Sequence, residues 1–188
     1  VNETNLCFTG GMPGNGLREL FGIWNEELDG ISAEDRQSLC LTADNHLALN
    51  GQYNVLEFAE RIHLEGATAL AHYGLDFYAG EPALTVNTYG QGKAYYIAAR
   101  TGDDFLIDFY RSVIARTKVK TTLPLTVPHG VHGTIRTDGD KQYLFVINWN
   151  QQAVVAPLDG QYRDLLKDQA VSNQIELPGF GSTVLEKI

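Results

Sequence analysis

From residue 129 to the carboxyl end the chain consists of short alternating apolar and polar runs. These are cut at Asp138-Gly139-Asp140, Asn150-Gln151, Asp159-Gly160, Lys167-Asp168 and Pro178-Gly179. No apolar residues recur there at helical spacing, so such a segment can bury its apolar side chains only by pairing strands. The spacing predicts a small antiparallel sandwich. The segment before it has a different texture. Thr101 or Asp103 can cap a helix, Asp103 and Asp104 suit its positive end, and Phe105, Phe109 and Val113 with Leu106 and Tyr110 form an apolar stripe. Between the two textures Leu123-Pro124 and Val127-Pro128 break the chain, which predicts a boundary near residues 119–128 and domains over 1–120 and 121–188.

At 188 residues the chain can bury roughly 70% of its unfolded surface and needs no metal or disulfide to fold. Asn5 to Thr9 reads as a strand, residues 10–16 as a glycine-rich loop, and Leu17 to Phe21 as a helical turn or two closed by Gly22. Strands are expected over 23–28 and 38–42. In 56–64, alternation places Leu56, Phe58, Ile62 and Leu64 on one face and Glu57, Arg61 and His63 on the other. A hairpin is predicted between this segment and 67–73, and another between 83–87 and 94–99 around Gly90-Gln91-Gly92.

Fourteen Lys and Arg against 23 Asp and Glu give a net charge of −9, so the average surface repels phosphate backbones and anionic headgroups. Nucleic acid and membrane are therefore not expected partners. Cys7 and Cys40 stand in strand-like settings and read as small buried hydrophobes. No run approaches the ~20 apolar residues that span a bilayer, and the amino end lacks a signal-peptide layout, so a cytoplasmic location is expected. The start at Val1 suggests a piece of something longer.

The residues that could carry chemistry each have a plainer reading beside them. The glycine loop before Leu17 meets neither the P-loop nor the dinucleotide pattern. Cys7 lacks the flanking glycines of a nucleophile elbow, since Asn5 and Thr9 stand there. Glu26, Glu27 and Asp29 could form a carboxylate pair for glycoside or metal chemistry. Strand alternation puts Glu27 and Asp29 on one face and Glu26 on the other, which also fits a solvated face or a partner contact. His63, Glu65 and His72 could hold a metal only if they converged. His129 and His132 sit near the entry to the second domain. Trp24, Trp149, Tyr143 and Phe145 could stack on sugar rings if exposed, while alternation favours most of them as core. The residues alone describe a two-domain accessory or interaction protein, with no residue assigned to catalysis, a cofactor or a metal.

Longer word patterns are more specific. Gly10-Gly11-Met12-Pro13-Gly14 followed by Leu17-Arg18-Glu19-Leu20-Phe21-Gly22-Ile23-Trp24-Asn25-Glu26-Glu27 resembles the trimerisation domain of glycoside hydrolase family 42 β-galactosidases. So do His63-Leu64-Glu65-Gly66-Ala67, residues 73–83 and residues 89–100. Residues 143–148, 162–166 and 177–185 resemble the small C-terminal β domain of the same family. The resemblance implies an α/β first domain, flavodoxin-like or glutamine-amidotransferase-like, followed by the all-β antiparallel sandwich. It implies a retaining hydrolase of terminal β-D-galactosides whose acid/base and nucleophile glutamates lie in a (β/α)8 barrel with no matching positions here. It also implies self-association as a homotrimer, with the galactoside a substrate of the parent enzyme only. A free-standing carbohydrate-binding module is the alternative, and a small α/β hydrolase a weaker third.

Overall fold

The computed structural model describes residues 12–14, 16–117 and 119–188, and the chain divides into two compact units, residues 1–117 and 118–188. The strand expected around Cys7 lies outside the described residues.

The first unit opens with α1 (Leu17–Phe21), whose last carbonyls Glu19 and Leu20 accept bonds from the Asn87 amide at 3.1 and 2.9 Å. Seven strands follow: β1 (Ile23–Gly30), β2 (Gln37–Leu41), β3 (Tyr53–Leu64), β4 (Thr68–Tyr73), β5 (Pro82–Tyr89), β6 (Gly92–Ile97) and β7 (Ala99–Thr101). They form one sheet in the order β1-β3-β2-β4-β5-β6, with every pairing antiparallel. Since β6 runs on into β7, and β7 pairs β3, the ladder returns to β3 and closes, with β1 added beside it.

The α/β layout expected for residues 1–120 is overturned: the described residues are 52% strand and 11% helix, and both sheets are antiparallel. Parallel neighbours need a crossover of about a dozen residues or more, usually helical. The links that join neighbouring strands, residues 42–52, 74–81 and 90–91, are shorter than that and contain no helix. The hairpin expected between 56–64 and 67–73 is also absent, because β2 lies between β3 and β4. Their connection docks instead on Gly22, whose carbonyl accepts the N–H of Glu65 at 2.7 Å and of Ala67 at 3.1 Å. Gly22 has φ 61°, and a Cβ there would come within 2.9 Å of the Ala67 nitrogen, so a side chain would push the connection away.

The apolar face expected for 56–64 is redistributed. Glu57 adopts φ 56° and the register against β7 slips between Leu56 and Ala59. Tyr53, Val55, Ala59 and Ile62 are buried, while Leu56 and Leu64 are exposed. The main core gathers Tyr53, Leu70, Tyr73, Tyr78 and Leu84 beneath α2 (Asp103–Thr117), which contributes Phe105 and Phe109. Leu106 and Val113 pack partly against it, and Tyr110, expected on the same stripe, is exposed.

The second unit has β8 (Val131–Asp138), β9 (Lys141–Asn148), β10 (Val154–Asp164), β11 (Gln169–Leu177) and β12 (Ser182–Lys187). They make a single five-stranded antiparallel sheet in the order β11-β10-β12-β9-β8, not the two facing sheets of a sandwich. Strand breaks fall at 139–140, 149–153, 165–168 and 178–181, whereas Asp159-Gly160 lies inside β10. There the register against β11 slips between Pro157 and Gln161, and Gly160 has φ 119°. β10 consequently pairs β12 only over Tyr162 to Asp164. This unit's core is built from Leu144, Val146, Tyr162, Leu177 and Leu185, with Leu123 added from the preceding segment.

Candidate functional site

The singled-out residues of the first unit fall along β1 and β3. The register pairs Trp24 with His63, Glu27 with Arg61 and Asp29 with Ala59, so these side chains line one face of the two strands. A bulge between Asn25 and Glu27 swings Glu26 towards the same histidine. His63 Nε2 lies 2.6 Å from Glu26 Oε2, and its ring stacks on Trp24 at 4.8 Å between centroids. The hydrogen bond from His63 holds the Glu26 carboxyl below the usual carboxylate range. Beside them Arg18 of α1 engages both carboxylate oxygens of Glu65 and lies over the Trp24 ring at 5.9 Å.

Arg61 is the hub of the next layer. Its Nε and Nη2 donate to Glu81 at 3.1 and 2.7 Å, its Nη1 donates to Glu27 at 3.2 Å, and its guanidinium lies 5.3 Å from the centre of the Phe77 ring. Bonding to Glu81 and then Glu27 pushes the Arg61 pKa up, so its charge is permanent. One layer further, Asp29 accepts the Tyr78 hydroxyl at 3.0 Å. Every carboxylate of the acidic cluster is thus committed to a histidine, a guanidinium or a phenol. Glycoside hydrolysis needs two carboxyls facing each other across a sugar, about 5 Å apart in retaining enzymes. Glu27, half-exposed on an open strand face and bonded to Arg61, is not placed for that work.

His63, Glu65 and His72 are not brought together: the first holds Glu26, the second holds Arg18, and His72 on β4 lies opposite Cys40 and Pro82. No group of three or more metal-ligating side chains occurs among the described residues. His129 and His132 are exposed, the former giving its carbonyl to the Asn150 amide. Cys40, expected in the core, is an exposed free thiol, and Cys7 lies outside the described residues. The aromatics expected as core are not all buried either: Trp149 is 59% exposed and Phe145 37%, with Tyr143 and Trp24 half-buried. Arg18, Glu81 and Tyr78 were not singled out from the sequence. Their roles depend on partners 47, 20 and 49 residues away, which no local pattern contains.

The two antiparallel sheets, with the carboxylates of Glu26, Glu27 and Asp29 each held by a neighbour, define a predominantly β protein of two units. The family model described as the β-galactosidase trimerisation domain matches residues 1–120, and that of the β-galactosidase C-terminal domain matches residues 130–187. The chain belongs to the glycoside hydrolase family 42 β-galactosidases. Among curated relatives, β-galactosidase BglY of Alicyclobacillus acidocaldarius is 39% identical and β-galactosidase Pbg of Clostridium perfringens 36% identical, each over 188 residues. A solved β-galactosidase from Rahnella sp. R3 superposes with a TM-score of 0.90 at 41% identity, and one from Bacillus circulans sp. alkalophilus with 0.90 at 35%. All four alignments cover the whole of this chain and 27% of the other protein. The chain therefore spans about a quarter of the length of the relatives it matches. No helix among the described residues is long and apolar enough to cross a membrane.

Proposed function

We propose that this chain is the non-catalytic assembly region of a β-galactosidase. Residues 1–120 would hold copies of the enzyme together and residues 121–188 would form its small C-terminal β domain. The parent enzyme would be a cytoplasmic homotrimer hydrolysing terminal β-D-galactosides with retention, its two catalytic glutamates lying in a barrel outside this sequence. The observation that carries the reading is the match of residues 1–120 to a trimerisation domain. The chemistry of the first unit supports it. The face of β1 and β3 presents a row of fixed ion pairs beside exposed Phe77, and Leu28 is exposed on the other face of β1, the mixture of apolar anchor and oriented charge that protein contacts use. The engagement of Glu26 by His63, Glu27 by Arg61 and Asp29 by Tyr78 supports the non-catalytic part.

A chromogenic β-galactoside assay on the purified chain tests that part. No turnover is expected. Turnover that disappears in the Glu26→Gln, Glu27→Gln double variant would place the active site on β1 and overturn the reading.

A further inference from the structure

The second unit contains a cleft of about 440 Å³, within the size range of small-molecule sites, between residues 119–122 and strands β8, β9, β10 and β12. Its polar lining includes Lys120, Thr121, Gln142, Asp159 and Lys187, while Ile135 and Leu144, paired across β8 and β9, supply an apolar wall. The register sets Lys187 opposite Tyr162, whose hydroxyl donates to the Asp159 carbonyl at 3.2 Å and so ties the 159–162 bend to the cleft.

Most arginines on β strands, and the nearby Lys141, are held by carboxylates: Lys141 pairs with Glu186 at 2.8 Å and Arg163 with Asp168. Within the cleft, the side chains of Lys120, Thr121, Gln142, Asp159 and Lys187 make no hydrogen bond or ion pair among the described residues. Ammonium and amide donors thus line the same cleft as carboxylate and amide acceptors, none bonded to another, beside an apolar wall.

From this arrangement we infer that the cleft is a binding site for a neutral saccharide. Vicinal hydroxyls both donate and accept, so they can use Asp159 together with Lys187 and Gln142, and the carbon face of a pyranose suits Ile135 and Leu144. A phosphate or carboxylate ligand would engage Lys120 and Lys187 alone, whereas a polyol also uses the acceptors of Asp159 and Gln142. The cleft has room for one or two hexose units. Sugar binding here and self-association through the first unit stand or fall separately, because one is read by titration and the other by sedimentation.

The test is NMR titration of the full 188-residue chain with galactose and with lactose, followed through backbone amide shifts. The expected result is saturable shifts centred on residues 119–122, 142–144, 159–162 and 187, with a dissociation constant on the order of millimolar. Gln142→Ala and Asp159→Ala, each removing one hydrogen-bonding group, should weaken binding about fivefold while leaving the spectrum's dispersion intact. Trp149→Ala, which alters the exposed indole outside the cleft, should bind as the parent does. No saturable shift at the highest soluble sugar concentration would overturn the inference. So would binding lost in Trp149→Ala but retained in the cleft variants, or inorganic phosphate displacing the sugar.

Discussion

Asp164 is the residue whose loss should be felt most sharply. It is fully buried at the end of β10, and its Oδ1 accepts the N–H groups of Leu166 and Lys167 at 2.9 and 3.2 Å and the Thr183 hydroxyl at 2.9 Å. One carboxylate oxygen thereby closes the 165–168 turn and ties it to β12. Asp164→Ala would strand three donors, and the expected cost in a urea melt is about 2–3 kcal/mol, at the upper end for unsatisfied buried groups. Asp164→Asn keeps an acceptor at the same place and should lose less. An Ala variant as stable as the parent would show that water replaces the carboxylate freely. Of this the sequence showed only a run, Tyr162 to Leu166, that matched the family pattern, because the burial of an aspartate depends on Thr183 nineteen positions on. The acidic cluster was more legible. Alternation correctly put Glu27 and Asp29 on one face, but the bulge that delivers Glu26 to His63 adds a residue no alternation rule anticipates.

The elements differ in how much their own residues decide. The β5–β6 hairpin follows from its two-residue turn at Gly90-Gln91, where Gly90 supplies φ 57°, and α2 follows from the spacing of its phenylalanines. Both are local, and both were readable. The neighbours of β3 were not, since choosing β2 over β4 is a non-local decision made by which pairing buries Tyr53 and Val55. The docking of α2 carries a pH dependence of its own. Phe105 and Phe109 meet Tyr53 and Tyr95 edge-on, the Tyr53 hydroxyl donates to Asp108 at 2.9 Å, and His46 Nε2 lies 2.9 Å from the Tyr95 hydroxyl. Burial first, then the charges of Lys93 and Arg116, hold His46 below its ordinary 6.5. The unfolded chain then binds the proton more readily than the folded one, so this contribution is complete above about pH 6.5 and declines as pH falls through it. Thermal unfolding between about pH 5 and about pH 7.5 should show that decline, and His46→Gln should flatten it. An unchanged profile in the variant would mean that His46 does not couple to the fold.

At the scale of the whole molecule, the length of the connections outweighs the family-based expectation of an α/β domain. A short link such as Gly90-Gln91 was present in the sequence between strand candidates, and strands that pair across so short a link run antiparallel. What no spacing could reveal is the closure of the first ladder through β7, a three-residue strand, or the bend in β10 that turns an expected sandwich into one sheet. The same molecule leaves apolar side chains outside its cores: Leu28 is 61% exposed on the face of β1 opposite Glu27 and Asp29, and Phe77 is 71% exposed over Arg61. On the assembly reading these are anchors covered by another copy. The direct test is sedimentation equilibrium of the chain from about 1 to about 100 μM, a range in which mass action separates monomer from assembled species. A mass rising above the 20.8 kDa monomer is expected, with the rise abolished by Leu28→Lys together with Phe77→Ser and unaffected by Leu166→Lys in the second unit. A monomer at every concentration would contradict assembly through residues 1–120.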